Sequence, residues 1–475
     1  MPDPKKISFL NPPLSPDQRY GILSAAGASE PPLGLAYLAA LTRQAGLNTG
    51  IIDAQALGLG VSQAATAILA DRPDYLAITV STMSFLPVIK LATMIKAADP
   101  TIKILVGGSH VSACPEATLR DNACFDIGIV GEGERTLAEL LPILNTGEDL
   151  SGISGIVFCA GGRVVVTAPR CRIDDLDQLP LPAFDLLPDI ARYYRPAAQS
   201  IKYLPAISLV TSRGCAGQCL FCDRKTFGNE IRMHSAAYIA DMMERLSKDF
   251  GIRSIFFEDD NFMLSESRLA DLARVMDRRR LKISWSALSR IDTINVEKIR
   301  IAKSCGCWQI LFGIESGSQK ILDFYHKNIT LVQIKDALAM TKRGGLHTKG
   351  FLMIGNPLES RETLQETRDL VMGFPLDDIS VTYFTPYPGA EIWDKIDQYG
   401  KVDKDWDSFT CFDPVFIPHG LTQKDLSDFQ KNIYAAFYSR PGVMLSYVSR
   451  LRSWPQAMAL VKSFWSLKAH VGGVY

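Results

Sequence analysis

The sequence predicts an α/β protein built from two consecutive sheets: a doubly wound parallel sheet, then six strand-and-helix units, followed by a helical C-terminal cap. Three observations predict it. Short apolar runs alternate with helical spacing from Lys6 to about Leu141, and the alternation resumes from Ala206 to about Thr385. Between them QLPLPAFDLLP is punctuated by proline and cannot stay helical for long. A chain of 475 residues is too long for one core, so two sizeable domains and a cap are expected. The boundaries read as 1–148, a linker with a hairpin over 149–205, a second domain over 206–395, and the cap over 396–475.

Composition narrows the functional classes. Apolar content of 47% and charged content of 21% are those of an ordinary globular protein. Lys plus Arg equals Asp plus Glu at 51 each, so no overall cationic footprint exists for a nucleic-acid backbone, and no nucleic-acid partner is expected. The start, MPDPKKISFLNPP, has no apolar signal core, and no later stretch is long and apolar enough to span a bilayer, so a soluble, cytoplasmic protein is expected. Ten cysteines with one tight cluster do not form a disulfide framework. Cys114, Cys124, Cys159, Cys171 and Cys411 read as plain thiols, and the CxC of Cys305 and Cys307 as structural.

In the first half KISFL, TGIID, YLAIT, IKILV and DIGIV are the strands, and Leu33 to Ala45, Pro87 to Ala98 and Arg135 to Leu144 carry helical spacing. Ligands of such sheets lie beyond the carboxyl ends of the strands. The residues there are Asn11, Pro12 and Pro13, then Ser81 and Thr82, then Gly107, Gly108 and His110, then Gly131, Glu132, Gly133 and Glu134. Small and hydroxyl side chains at several strand ends suit a large flat ligand, although turn chemistry accounts for them equally. No GxGxxG precedes an acid at dinucleotide spacing, so a nicotinamide cofactor is not expected. GIVFCAGGRVVVT reads as a hairpin around Gly161 and Gly162.

The second half has strands AISLV, SIFFE, KISWSA, WQILFG, TKGFLMI and DISVTYF, with helices such as Ala236 to Phe250 and Val332 to Arg343. The first of these strands runs into TSRGCAGQCLFCDR, where Cys215, Cys219 and Cys222 stand in CxxxCxxC spacing. Three soft ligands on one loop leave an iron-sulfur cluster or a zinc site one ligand short, whereas a closed zinc site wants four. His234 is the only close candidate for a fourth, at an unconventional spacing. Further strand ends carry Glu258, Asp259, Asp260 and Asn261, which suit a metal, an amine or a solvated turn, and Ser289 with Arg290, which suit a carboxylate or a surface ion pair. Glu315 follows a buried apolar run between Gly313 and Gly317. An unpaired buried charge is expensive, so it needs a ligand or a neighbour such as Arg290. Past Glu391 the pattern turns helical, with Trp406, Phe412, Phe416 and Tyr438 interspersed. Pro441 to Tyr475 holds Arg450, Arg452, Lys462 and Lys468 with Trp454, Phe464 and Trp465 and no acid, a pattern that suits membrane contact or an amphipathic packing helix.

CxxxCxxC with Phe221 before its last cysteine is similar to the radical S-adenosylmethionine (SAM) signature, and GIESGS, KGFLMIGNPLES and TPYPGAEIW follow it in that family's order. NPP, PPLGLAYLAALTRQAG, VGGSHVS and VGEGE resemble the cobalamin-binding domain that precedes the radical SAM domain in one subgroup. The chain thus resembles the cobalamin-dependent radical SAM enzymes. That implies a flavodoxin-like (Rossmann-type) cobalamin domain, then a partial (β/α)6 barrel. It implies a 4Fe-4S cluster on Cys215, Cys219 and Cys222, beside Phe221, with a free iron that chelates SAM. Glu258 and Asp259 would meet the SAM amino group, Ser289 and Arg290 its carboxylate, Glu315 the ribose, and Ile354 and Gly355 the adenine, with Glu359 capping the next helix. Cobalamin would lie against Asn11, Pro12, Ser81, Thr82, Gly107, Gly108, His110, Glu132, Gly133 and Glu134. No DxHxxG occurs, so no histidine is expected below the cobalt. The implied activity is reductive SAM cleavage and methyl transfer from methylcobalamin to a small-molecule or lipid substrate, with an electron donor such as flavodoxin or ferredoxin as partner. Ring formation without methylation and a cobalamin sensor with a structural cluster are the alternatives.

Overall fold

A computed structural model describes residues 5–144, 146, 149–450 and 458. Five parallel strands, β1 (Lys6–Asn11), β2 (Asn48–Asp53), β3 (Tyr75–Thr79), β4 (Lys103–Gly107) and β5 (Ile127–Ile129), lie in the order β2-β1-β3-β4-β5. That order is flavodoxin-like and puts the topological switch point between β1 and β3. The strands read as unbroken apolar runs because both faces are covered. Ile7, Phe9 and Leu105 pack on one side against helices Leu33–Gln44 and Gly133–Ile143, while Leu10, Ile78 and Val106 pack on the other against Val61–Asp71 and Phe85–Ala98.

The hairpin expected in the linker is present as β6 (Ile156–Ala160) and β7 (Arg163–Val166), but it belongs to this sheet: β6 pairs antiparallel with β5 and β7 closes the edge. Its inward residues Ile156 and Phe158 are as apolar as those of any core strand, and the sheet edge gives them cover. After the hairpin the linker packs on the second unit. Leu176, Phe184, Leu187, Ile190 and Tyr194 share one core with its strands, and Tyr37 of the first unit joins them.

The second sheet is β8 (Ala206–Leu209), β11 (Ser254–Phe257), β12 (Ser284–Ser289), β13 (Cys307–Glu315), β14 (His347–Ile354) and β15 (Asp378–Tyr383), parallel and adjacent in chain order. Between β8 and β11 a short antiparallel pair, β9 (Ser212–Arg213) and β10 (Arg232–Met233), closes the cysteine loop. Ile207, Ile255, Trp285, Ile310 and Leu352 face the helices. By alternation Ser208, Phe256, Ser286, Leu311 and Phe351 face the concave side.

The C-terminal segment differs from a simple helical cap. A 3-10 turn over Trp393–Gln398 and a strand pair, β16 (Gly400–Val402) with β17 (Phe416–Pro418), precede helices Gln423–Tyr438 and Pro441–Arg450. Asp403, Asp405, Asp407, Pro414 and Gly420 favour turns there over helix. The expectation about Arg452, Trp454, Lys462, Phe464, Trp465 and Lys468 lies outside the described residues. No helix among the described residues is long and apolar enough to cross a membrane.

Candidate functional site

The cysteine loop is held from both ends. At its start the buried Asp259 carboxylate accepts from the Thr211 amide at 2.9 Å and from the hydroxyls of Thr211 and Ser212, while Arg268 donates to the Thr211 carbonyl at 3.2 Å. Asp259, expected at the SAM amino group, thus serves the loop that carries the cysteines. Sequence adjacency to Glu258 hid this, since neighbours on a strand end point to opposite faces.

Within the loop the sulfurs of Cys215 and Cys219 flank Gly217, where a Cβ would stand 3.4 Å and 3.8 Å from them and 3.0 Å from Arg290 Nη1. Only a residue without a side chain leaves that space free. The Cys219 thiol lies low, at about 6, through the hydrogen bond with Cys222 and, less, the cations of Lys327 and Arg290; the partner thiol of Cys222 is pushed up by the same bond and by burial. Among the described residues no three His, Cys, Asp or Glu side chains are close enough together to hold a single metal ion. His234, the candidate fourth ligand, is engaged elsewhere, between Tyr37 Oη at 3.2 Å and Asp177 at 3.2 Å.

Around the loop the expected SAM residues divide. Arg290 is clamped by Asp292 at 3.0 and 2.9 Å and donates to the Lys327 carbonyl, with its Nη1 against Gly217 of the cysteine loop. The Ser289 hydroxyl is turned into the local loop, toward the Arg290 carbonyl and Asn261. Glu315 pairs with Lys327 at 2.6 Å, not with Arg290. Phe221 packs edge-on against Tyr325 with centroids 4.8 Å apart. Ile354 faces the helix layer, while the half-buried Phe351 and Met353 face the other side, and Gly355 lies against Leu426 of the C-terminal helix. Glu359 accepts from Asn356 and Thr363 and is lifted to about 7 by burial; the helix cap itself is Ser360.

Glu258 is the expected residue that does face a shared space. Its carboxyl accepts from Ser208 at 3.0 Å and is raised to about 8 by burial and, less, by the negative charge of Glu30 of the first unit. Arg19 holds Glu30 at 2.7 Å. The loop after β1 therefore enters the mouth of the second sheet, and Tyr20 meets Phe412 of the C-terminal segment at 5.3 Å. Neither Arg19 nor Glu30 stands in a motif, so spacing could not have found them.

At the carboxyl edge of the first sheet, Asn11 donates to Asp53 at 2.8 Å, and Tyr194 of the linker donates to the other oxygen of that carboxylate at 2.7 Å. Pro12 is buried beside them. Ser81 bonds Ser84, and Thr82 bonds the His110 imidazole at 3.2 Å. His110 lies between Phe85, at 4.0 Å, and Trp406, at 5.5 Å, and burial drops its pKa to about 4, so it stays neutral. Gly107 is the last residue of β4, and Gly108 rests on the backbone of Val80. Glu132 and Glu134, expected beside a cofactor, are engaged by arginines flanking the cysteine loop: Arg213 reaches Glu132 at 3.1 Å and also Glu134, and Arg232 pairs with Glu132. Gly133 starts the helix between these acids and contacts Leu38.

Comparison with known proteins agrees with this architecture. Residues 20–141 match the B12 binding domain, and residues 209–371 match the Radical SAM superfamily. An uncharacterized methyltransferase of Pyrococcus horikoshii is 35% identical over 93% of this chain and 94% of its own length. The chain belongs to the cobalamin-dependent radical SAM enzyme family. An anaerobic magnesium-protoporphyrin IX monomethyl ester cyclase of Cereibacter sphaeroides is 24% identical over 90% of this chain and 70% of its own. The radical SAM methyltransferase TsrM from Kitasatospora setae, solved with cobalamin and a 4Fe-4S cluster, shares the fold at a TM-score of 0.66 and 18% identity, over 83% of this chain and 75% of its own.

Proposed function

We propose that this enzyme transfers a methyl group to an unactivated carbon, or to phosphorus, of a small-molecule or lipid substrate, using a 4Fe-4S cluster, SAM and cobalamin. The observation that carries the reading is that the carboxyl-end loops of the first sheet meet the segment that follows the second, with Tyr20 against Phe412 and His110 against Trp406. Loops of both units brought together in this way suit a substrate held between two cofactors, and the methyltransferase from Pyrococcus matching nearly the whole chain supports methyl transfer as the outcome.

The residues present suit these groups. Cys215, Cys219 and Cys222 are free thiols on one loop, with Gly217 leaving room between two of them. The first sheet's carboxyl edge leaves Asn11, Ser81 and Gly108 partly exposed to a flat ligand, and its one imidazole, His110, is covered by Phe85 and Trp406. When bound, the cofactors supply homolytic SAM cleavage and the methyl donor. The chain's own part is to place them: Arg290 and Lys327 put cations beside the cysteines, Glu258 and Ser208 offer hydrogen bonds at the barrel mouth, and Phe351 and Met353 give that space an apolar wall. A one-electron donor protein such as flavodoxin or ferredoxin completes the system.

Ring formation without methylation is the second reading, favoured by the similarity to the cyclase of Cereibacter. Extracts of a deletion strain, compared with those of its parent, identify the accumulating substrate. Reconstituted enzyme given that substrate should release S-adenosylhomocysteine together with 5′-deoxyadenosine. Release of 5′-deoxyadenosine without S-adenosylhomocysteine would refute methyl transfer and leave cyclisation.

A further inference from the structure

Five non-glycine residues have left-handed backbone among the described residues, and three of them, Arg72, Arg280 and His326, end helices. The other two are Glu315 at φ 69° and Asn328 at 56°. Such backbone is costly and persists where the surroundings enforce it, often at functional contacts. Both lie at one contact. Lys327 sits between His326 and Asn328, and its Nζ reaches 2.6 Å from Glu315 Oε1, with side chains only 7% and 14% exposed. A Cβ on Gly313 would stand 2.7 Å from Glu315 Oε1 and 3.1 Å from Lys327 Nζ, so the pair needs glycine there.

The same segment grips the cysteine loop. The Leu220 amide donates to the Tyr325 carbonyl at 3.1 Å, and Lys327 Nζ lies 5.9 Å from the Phe221 ring centre. Arg290, which abuts Gly217, donates to the Lys327 carbonyl at 3.0 Å. Lys327 therefore touches on one side the acid assigned to SAM and on the other the loop that carries the cysteines.

Building on the reading of Cys215, Cys219 and Cys222 as cluster ligands and of Glu315 as a SAM contact, we propose that Lys327 is a positioning residue with two roles. It fixes the Glu315 carboxylate for SAM, and it sets a positive charge beside the cysteine loop, at Phe221, that raises the cluster's reduction potential. Adding an electron to the cluster adds negative charge, and a buried cation close by stabilises the reduced state more than an exposed one would. A bound cluster also keeps the cysteines as thiolates, which adds to the need for a cation there.

The test is a redox titration of the reconstituted full-length protein, followed by electron paramagnetic resonance, beside equilibrium SAM binding. Lys327→Met should lower the midpoint potential and weaken SAM binding by about tenfold, the loss of roughly one charge-assisted hydrogen bond. Lys327→Arg should keep the potential near wild type. Glu315→Gln should raise the potential, since the cation then lacks its counter-charge, while weakening SAM. If Lys327→Met does not fold because Glu315 is left unpaired, Lys327→Met with Glu315→Gln carries the test: its potential should lie below that of Glu315→Gln alone. Cluster-loaded, SAM-binding wild type alongside an unchanged potential in these lysine variants would overturn this proposal only. Wild type that takes up no cluster would refute the functional reading and this proposal with it.

Discussion

Arg213→Met removes the cation on which acids of the other unit converge. Arg213 is a tenth exposed, and Glu132 and Glu134 are 4% and 6% exposed, so the ion pairs are buried. Glu132 retains Arg232 in the variant, but Glu134 has no second ion-pair partner among the described residues. Methionine keeps the apolar contact with Tyr37 and Phe227, whose rings the guanidinium approaches at 5.9 and 5.5 Å, so the loss is mainly electrostatic. Removing one partner of a buried pair costs about 3–5 kcal/mol. At roughly 2 °C per kcal/mol, the value for larger domains, the melting temperature should fall by about 6–10 °C. Calorimetry of the cofactor-free protein measures this. Adding Glu134→Gln should recover most of the loss, because the amide leaves no orphaned charge. A single variant melting within about 1 °C of wild type, the range of an ordinary surface substitution, would refute the reasoning, as would a double variant no better than the single.

Other outcomes follow from the same geometry. Protein carrying Cys215→Ala, Cys219→Ala and Cys222→Ala should show no cluster spectrum after anaerobic reconstitution, and a normal spectrum would overturn the ligand assignment. Glu258 has a folded pKa near 8 against an ordinary 4.5, so the folded state holds a proton the unfolded chain releases, and stability falls as pH rises between those values. Glu258→Gln should flatten that slope in melts taken from pH 5 to 8; an unchanged slope would contradict it. His110 is held neutral with its pKa near 4, so its contribution is full above 6.5 and is lost as pH falls toward 4. Resonance spectra of the cob(II)alamin form should lack histidine-nitrogen splitting, and its presence would mean that His110 leaves the cover of Trp406 to bind cobalt.

Every strand run of both sheets stood out in the sequence, because parallel strands covered on both faces are short unbroken apolar blocks. The hairpin at Gly161 and Gly162 was also visible, yet not its docking on β5, since pairing with a distant edge leaves no local mark. Of the site, the cysteines and the strand-end acids stood out by spacing and position. What each acid touches did not. Glu258 and Asp259 look alike in sequence, but alternation sends one to the shared space and the other under the cysteine loop. Lys327 was invisible because it meets Glu315 only in the folded structure, across a turn that no motif encodes.

The interface itself explains what the strand-end acids pair with. Glu132 and Glu134 sit where a cofactor contact was expected, but a carboxylate in a buried place takes the nearest fixed cations, and Arg213 and Arg232 are brought there by the short strand pair that closes the cysteine loop. Asp53 shows the same logic, with its second oxygen satisfied by Tyr194 from the linker. Separating the two units would strip each of these acids of its partner across the interface, and an unpaired buried carboxylate is costly. The contacts that fix the cysteine loop and those that fix the carboxyl edge of the first sheet are therefore shared, so a change in the spacing of the two units disturbs both at once.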